Sequence, residues 1–248
     1  VREILEVRSG IANFRSPVIG SAVLRGYVNA AAVTTVVAEC IKRGEQEKRA
    51  DPNLGIIAKE LTRFANLERL LPENGRREAL QNLYEDIKQV RSIRENPHFW
   101  LQYAMARLAL GDLPIARRYF EQSYSYARAL NQFDTFQIDN HYCRLLLMEA
   151  ENSTDADVAY KSVIDSLSIL KKQVLRENRH YPYRSTWNLD GVSKRHAESW
   201  TLDQRNSVVA AARYLIDAAE HLDAQVARSV AVVGGLERLR AVIERLSS

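Results

Sequence analysis

Asn96-Pro97-His98-Phe99-Trp100-Leu101-Gln102-Tyr103-Ala104, followed by Gly111-Asp112 and then by Ala116 and Phe120, is the stretch that decides the fold. Asn96-Pro97 closes one connection and opens a helix, because Pro at the first helical position forfeits no needed donor. Gly111 takes a left-handed turn conformation cheaply. Ala116 and Phe120 lie one turn apart on one helix face. The small Ala lets a paired helix approach, Phe120 fills the gap above it, and Trp100 and Tyr103 supply the facing surface. The spacing predicts a helical hairpin over 97–110 and 113–130, with Pro114 near the first turn of its second helix.

This layout resembles the tetratricopeptide repeat. A weaker copy follows, since Ala156 and Tyr160 repeat the small-x3-aromatic pair. Its helices are expected over 140–148 and 155–177, with a longer loop at 131–135. The offset of 40 positions exceeds the usual repeat of about 34, so the array is expected to be irregular. Upstream, Ser16-Pro17 opens an apolar helix reaching about Ile41, and the charged stretch 42–51 reads as a loop. Leu54, Ile57, Leu61, Phe64, Leu67 and Leu71 recur at steps of three and four and predict one amphipathic helix over 53–71. After a break at 72–75, Leu80, Leu83, Tyr84, Ile87 and Val90 mark another. Downstream, 178–188 reads as an ordered loop, 202–222 as an Ala-rich amphipathic helix, and Gly234-Gly235 as an interruption of a final helix ending at Leu246.

Composition agrees with an all-helical chain. Of 248 residues 46% are hydrophobic and 27% charged, ordinary globular values, and only 10 Gly and 6 Pro occur. Cys40 and Cys143 stand far apart without a CxxC partner, which argues against a metal site or a disulfide framework and fits a reducing, cytoplasmic compartment. No apolar run reaches the length of a membrane span. The net charge of +4 is mild. Basic residues are mostly Arg, which suits bidentate contacts to carboxylate and phosphate, although a coding bias would leave the same count. The start lacks an initiator Met, so a piece of a longer protein is one reading, and processing or tag removal another.

Trp100, Tyr103, Gly111, Ala116 and Phe120 are read as hairpin structure. The best binding candidate is the run Arg179, His180, Tyr181, Tyr183 and Arg184, with Arg176, Lys194 and Arg195 nearby. Aromatics among basic residues can stack bases and neutralise phosphates. The favoured alternative is a loop pinned by its two tyrosines against the helices. Asp139 and His141, two apart, face different sides of a helix, so a capping Asp and a packed or solvent-facing His are expected. Glu149 with Glu151, and Glu244 with Arg240 and Arg245, read as solvated faces. No phosphate loop, dinucleotide fingerprint, nucleophile elbow or zinc-protease motif occurs, so no catalytic residue, cofactor or metal is assigned.

Taken together, Asn96–Ala104 with Gly111-Asp112, Phe133-Asp134-Thr135-Phe136-Gln137-Ile138-Asp139-Asn140-His141 and His180-Tyr181-Pro182-Tyr183-Arg184 resemble the C-terminal helical region of bacterial STAND-type and related P-loop NTPases of anti-phage defence. Phe14-Arg15-Ser16-Pro17-Val18-Ile19 faintly resembles the helical start after the ATPase core. The resemblance covers about half the chain, and nothing after Asn188 is placed by it. It implies a sensor or scaffold that recognises a trigger or holds the NTPase inactive, while the nucleotide and effector chemistry lies upstream. The expectation is an all-α fold of irregular stacked antiparallel hairpins (93–248) behind an N-terminal helical bundle segment (1–92). The expected function is non-catalytic protein interaction, with a protein partner or other domains of the same polypeptide, no membrane, and any oligomer formed through the parent. The alternative is nucleic-acid binding through Arg-rich faces and the Tyr181–Arg184 segment.

Overall fold

The computed structural model describes residues 5–8, 11–14, 29–130, 133–176 and 181–247. The fold is all-α, with one short addition: strands β1 (Leu5–Arg8) and β2 (Ile11–Phe14) pair antiparallel, Leu5 opposite Phe14. The helix expected to open at Ser16-Pro17 begins outside the described residues. Contacts divide the chain into two compact units, Val1–Gly111 and Asp112–Ser248. This division differs from the expected 1–92 and 93–248.

In the first unit, α1 (Ala30–Glu47) is capped by Asn29, whose side chain accepts from Ala31 N at 2.8 Å. It runs six residues past Ile41, through part of the stretch read as a loop. Arg43 and Glu47 pair across one turn at 2.9 Å there, so charge at helical spacing supports the helix. Helix α2 (Pro52–Thr62) packs on α1 where Gly44 admits it: a Cβ on Gly44 would stand 2.7 Å from Leu54 O. The single helix expected over 53–71 is two, because Arg63 is extended between α2 and α3 (Phe64–Leu70). Gln102 accepts from the freed Phe64 N–H at 2.9 Å, which caps the second piece from a distant helix. Next come α4 (Arg76–Ile87), the single turn α5 (Arg91–Arg94) and α6 (Pro97–Ala109). The helix opens at Pro97 as expected, and Asn96 caps it, accepting from His98 N at 2.9 Å. The unit's core is aromatic: Tyr84 and Tyr103 stack at 4.7 Å, and Trp100 meets Phe99 edge-on at 5.2 Å. Their polar atoms are engaged, Tyr84 donating to Thr62 O at 2.9 Å and Tyr103 to Glu85 at 2.7 Å. Gly111, which follows α6, has φ +79°, the left-handed conformation a turn needs.

The second unit starts with α7 (Leu113–Ala129), α8 (Phe136–Asn152) and α9 (Ala156–Gln173). Ala116 and Phe120 are fully buried, Phe120 meeting Tyr142 of α8 edge-on at 5.9 Å. Helices α8 and α9 run antiparallel. Ser166 faces Cys143 near the middle, and Gln173 donates to Phe136 O at 3.2 Å at the far end. Helix α7 crosses α8 the same way, Arg117 pairing Glu149 and Tyr124 donating to Asp139 at 2.7 Å. The chain then forms α10 (Tyr181–Arg184), α11 (Leu189–His196), α12 (Leu202–Ala219), α13 (Ala224–Ala227) and α14 (Val230–Ser247).

Helix α11 packs on α8 and α12 on α9. Gln204 donates to Asp157 at 2.8 Å near the starts of α12 and α9, and Lys171 lies over the Tyr214 ring toward their ends. The two helices therefore run parallel, as equivalent helices of successive repeats do, while α11 and α12 each pack on α14. Two donors fix the connection between α11 and α12: Trp200 Nε1 to Ala156 O at 2.9 Å, and His196 Nε2 facing Ala150 O at 3.1 Å. Both helices lie in the part of the sequence that the family resemblance left unplaced. Helix α14 closes the unit without interruption, a correction to the break expected at Gly234-Gly235. No helix among the described residues is long and apolar enough to cross a membrane.

Candidate functional site

Of the residues singled out for binding, Arg179 and His180 lie outside the described residues. Tyr181 opens α10. Tyr183 is a core residue and not a binding residue: it is buried and donates its hydroxyl to Leu215 O at 2.7 Å. Burial pushes its phenol up to about 12. Its carbonyl accepts from Arg238 at 3.1 Å and from Thr186 at 2.8 Å. The segment is thus pinned by Tyr183, and of Pro182, Tyr183 and Arg184 only Arg184 is exposed. Beside it lies a contact the sequence did not announce. Trp187 is 43% exposed, and the Arg144 guanidinium sits 4.9 Å above its ring. The two residues are 43 positions apart, on different elements, so no local spacing links them.

His141, between these cations, is held down to about 4, first by burial and then by Arg144 and Arg184. His98 in the first unit is lowered to about 4 as well, by burial and then by Lys59 and Arg63, against the pull of Glu60. Both are neutral in the folded chain above that pH, while an unfolded His takes its proton near 6.5. Between these values the unfolded state binds more protons, so stability should fall as pH drops from about 6.5 to 4. Urea midpoints measured across that window should show the loss, and His98→Gln with His141→Gln should flatten it; an unchanged slope would refute the assignment.

Asp139 is a packed polar node, accepting from Tyr124, Thr135 and Gln173. It does not serve His141. Glu149 pairs Arg117, and Glu151 accepts from Asn188, so these acids are not a pair either. Arg245 pairs Asp190 at 2.6 Å. Cys40 is exposed, and Cys143 is buried with its thiol pushed up by burial. Among the described residues no three His, Cys, Asp or Glu gather as metal ligands.

Concave surface occurs in both units. In the first, a cavity of about 380 Å³ is lined by Ile56, Lys59, Asn96, His98 and Phe99, among others. Its acid, Glu45, is already engaged by Lys48 at 2.6 Å and Ser92 at 2.9 Å. In the second unit, α12 is flanked by two grooves. One, of about 710 Å³, lies against α9 and is lined by Ile164, Ser168, Lys171, Lys172 and Leu175 on that side and by Ser207, Ala210, Ala211 and Tyr214 on α12. The other, of about 430 Å³, lies against the end of α14 and includes Leu202, Arg205, Asn206 and Arg213. Ala210 borders both. This ridge with its two grooves is the candidate site. Its helix buries Val208, Ala212, Leu215 and Ala219 inward, which leaves the basic and apolar residues facing out. That pattern was the available signal: Leu202, Arg205, Arg213 and Tyr214 fall outside the buried stripe.

No protein-family model matches the chain, and no curated protein and no solved structure is significantly similar to it.

Proposed function

We propose that this chain is a non-catalytic interaction and sensing module, the C-terminal helical part of a cytoplasmic bacterial P-loop NTPase of anti-phage defence. The observation that supports the interaction role is the parallel setting of α12 on α9, with α11 on α8, as helices of successive repeats are set. Such stacking builds extended surfaces from helix faces, which suits the binding of partners. The family assignment rests on the three sequence stretches that resemble it. The test is the reading frame upstream of Val1, where a phosphate-loop NTPase is expected; a frame without one would remove that assignment. The purified chain should neither hydrolyse ATP nor cleave NAD at enzymatic rates, and either activity would overturn the non-catalytic reading.

A second reading, nucleic-acid binding, is favoured by one contact, the Arg144–Trp187 stack beside Arg184. A guanidinium and a half-open indole suit phosphate and base in turn. Under it, a labelled single-stranded oligonucleotide binds at low salt, binding weakens as salt rises, and Trp187→Ala reduces it. Absence of binding at low salt would remove this reading.

A further inference from the structure

We infer that the grooves on either side of α12 receive an acidic amphipathic helix of a partner protein. The inference rests on the interaction reading above and names the chemistry of the partner.

The first argument is charge. Lys171, Lys172, Arg205 and Arg213 border the two grooves, and no Asp or Glu lines either. Lys172, Arg205 and Arg213 have no ion-pair partner among the described residues, and Lys171 meets only the Tyr214 ring, at 4.6 Å. Elsewhere in the unit Arg117, Arg176, Lys194 and Arg245 each meet a carboxylate. Arg205 Nε is buried and lacks an acceptor. A buried donor without a partner is unfavourable, so the Arg205 side chain gains by turning toward an incoming carboxylate.

The second argument is apolar surface. Leu175 is 70% exposed and Leu202 63%, one at each groove, with Ile164 and Ala210 between rows of charge. Aliphatic floors accept leucine-like side chains. A nucleic-acid strand would find one ring, Tyr214, already covered by Lys171. The third argument is backbone. Both grooves are walled by helices whose interior N–H and C=O groups are paired along their own axes. An extended peptide would gain no main-chain hydrogen bonds there, whereas a helix brings its own. Apolar floor, cationic rims and a spent backbone together specify an amphipathic helix with acidic flanks.

The experiment titrates the full chain with synthetic amphipathic helices, reading fluorescence anisotropy. One peptide carries leucine on one face and glutamate elsewhere; a second has lysine for the glutamates; a third keeps the glutamates but replaces leucine with serine. The first should bind and the other two should not. Lys172→Glu with Arg213→Glu should weaken the first peptide by about tenfold or more and admit the lysine peptide. Leu175→Ser should weaken the first peptide at unchanged melting temperature. The inference is overturned if the glutamate peptide fails to bind, if it binds the charge-reversed variant equally, or if an oligonucleotide displaces it through the same residues. Peptide binding without an upstream NTPase would leave the groove assignment standing and remove the parent; an NTPase without peptide binding would do the reverse.

Discussion

Replacing Trp100 by Ala is expected to lower the unfolding free energy by about 3–5 kcal/mol, the range for truncating a buried large aromatic. The indole is buried, meets Phe99 edge-on at 5.2 Å, and donates Nε1–H to Arg94 O at 2.7 Å. Truncation opens a cavity beside the Tyr84–Tyr103 stack and strips a donor from the last residue of the single-turn helix α5. Trp100→Phe separates the two losses. It refills much of the volume but leaves the carbonyl unpaired, so about 1–3 kcal/mol is expected. Urea unfolding of the three proteins, compared at equal slope, checks both. A Trp100→Ala loss below about 1 kcal/mol would mean that the residue is not core.

The neighbouring glycines of α14 are expected to respond to Ala with opposite signs. A Cβ on Gly235 would stand 2.6 Å from Tyr183 Cβ and 2.8 Å from Tyr183 O. Tyr183 cannot retreat, since its hydroxyl is tied to Leu215 O and its carbonyl to Arg238. Gly235→Ala should therefore destabilise by about 1–3 kcal/mol, overpacking outweighing the gain in helix propensity. A Cβ on Gly234 would meet only the end of the Arg238 side chain, at 3.5 Å. There the propensity term stands alone, and Gly234→Ala should stabilise by about 0.5–1 kcal/mol. Thermal melts of the two variants decide it: equal shifts would show that the α14–Tyr183 contact is not close.

These positions also show where the sequence was legible. Trp100, Tyr103, Ala116 and Phe120 could be read as core because helical spacing and side-chain size both point inward, and all four are buried. Asn96, Pro97 and Gly111 were legible because caps and left-handed turns depend on local chemistry. Three features were not. The end of α1 is polar, and Arg43 with Glu47 resembles a solvated loop until the helix places them together. The break at Arg63 carries no Gly or Pro; it is held by Gln102 from another helix. Gly234-Gly235 imitates a helix end because intrinsic propensity is weak, whereas α14 is kept whole by packing on α10, α11 and α12. The candidate site was hidden for a related reason. Lys171, Lys172 and Leu175 lie some forty positions before Tyr214, and only the parallel setting of α9 and α12 makes them one surface.

The close seat of Tyr183 against α14 bears on how the chain is made. Arg238, which donates to the Tyr183 carbonyl, follows it by 55 positions. A ribosome adding about 5–20 residues per second reaches it roughly 3–11 s after Tyr183. During that interval the tyrosine has left the peptidyl-transferase centre but the α14 side of its seat does not exist. Any chain that stops short of α14 leaves the Tyr183 backbone without its Arg238 donor and its Gly235 seat, a ready mark by which quality control could tell an unfinished copy from a finished one.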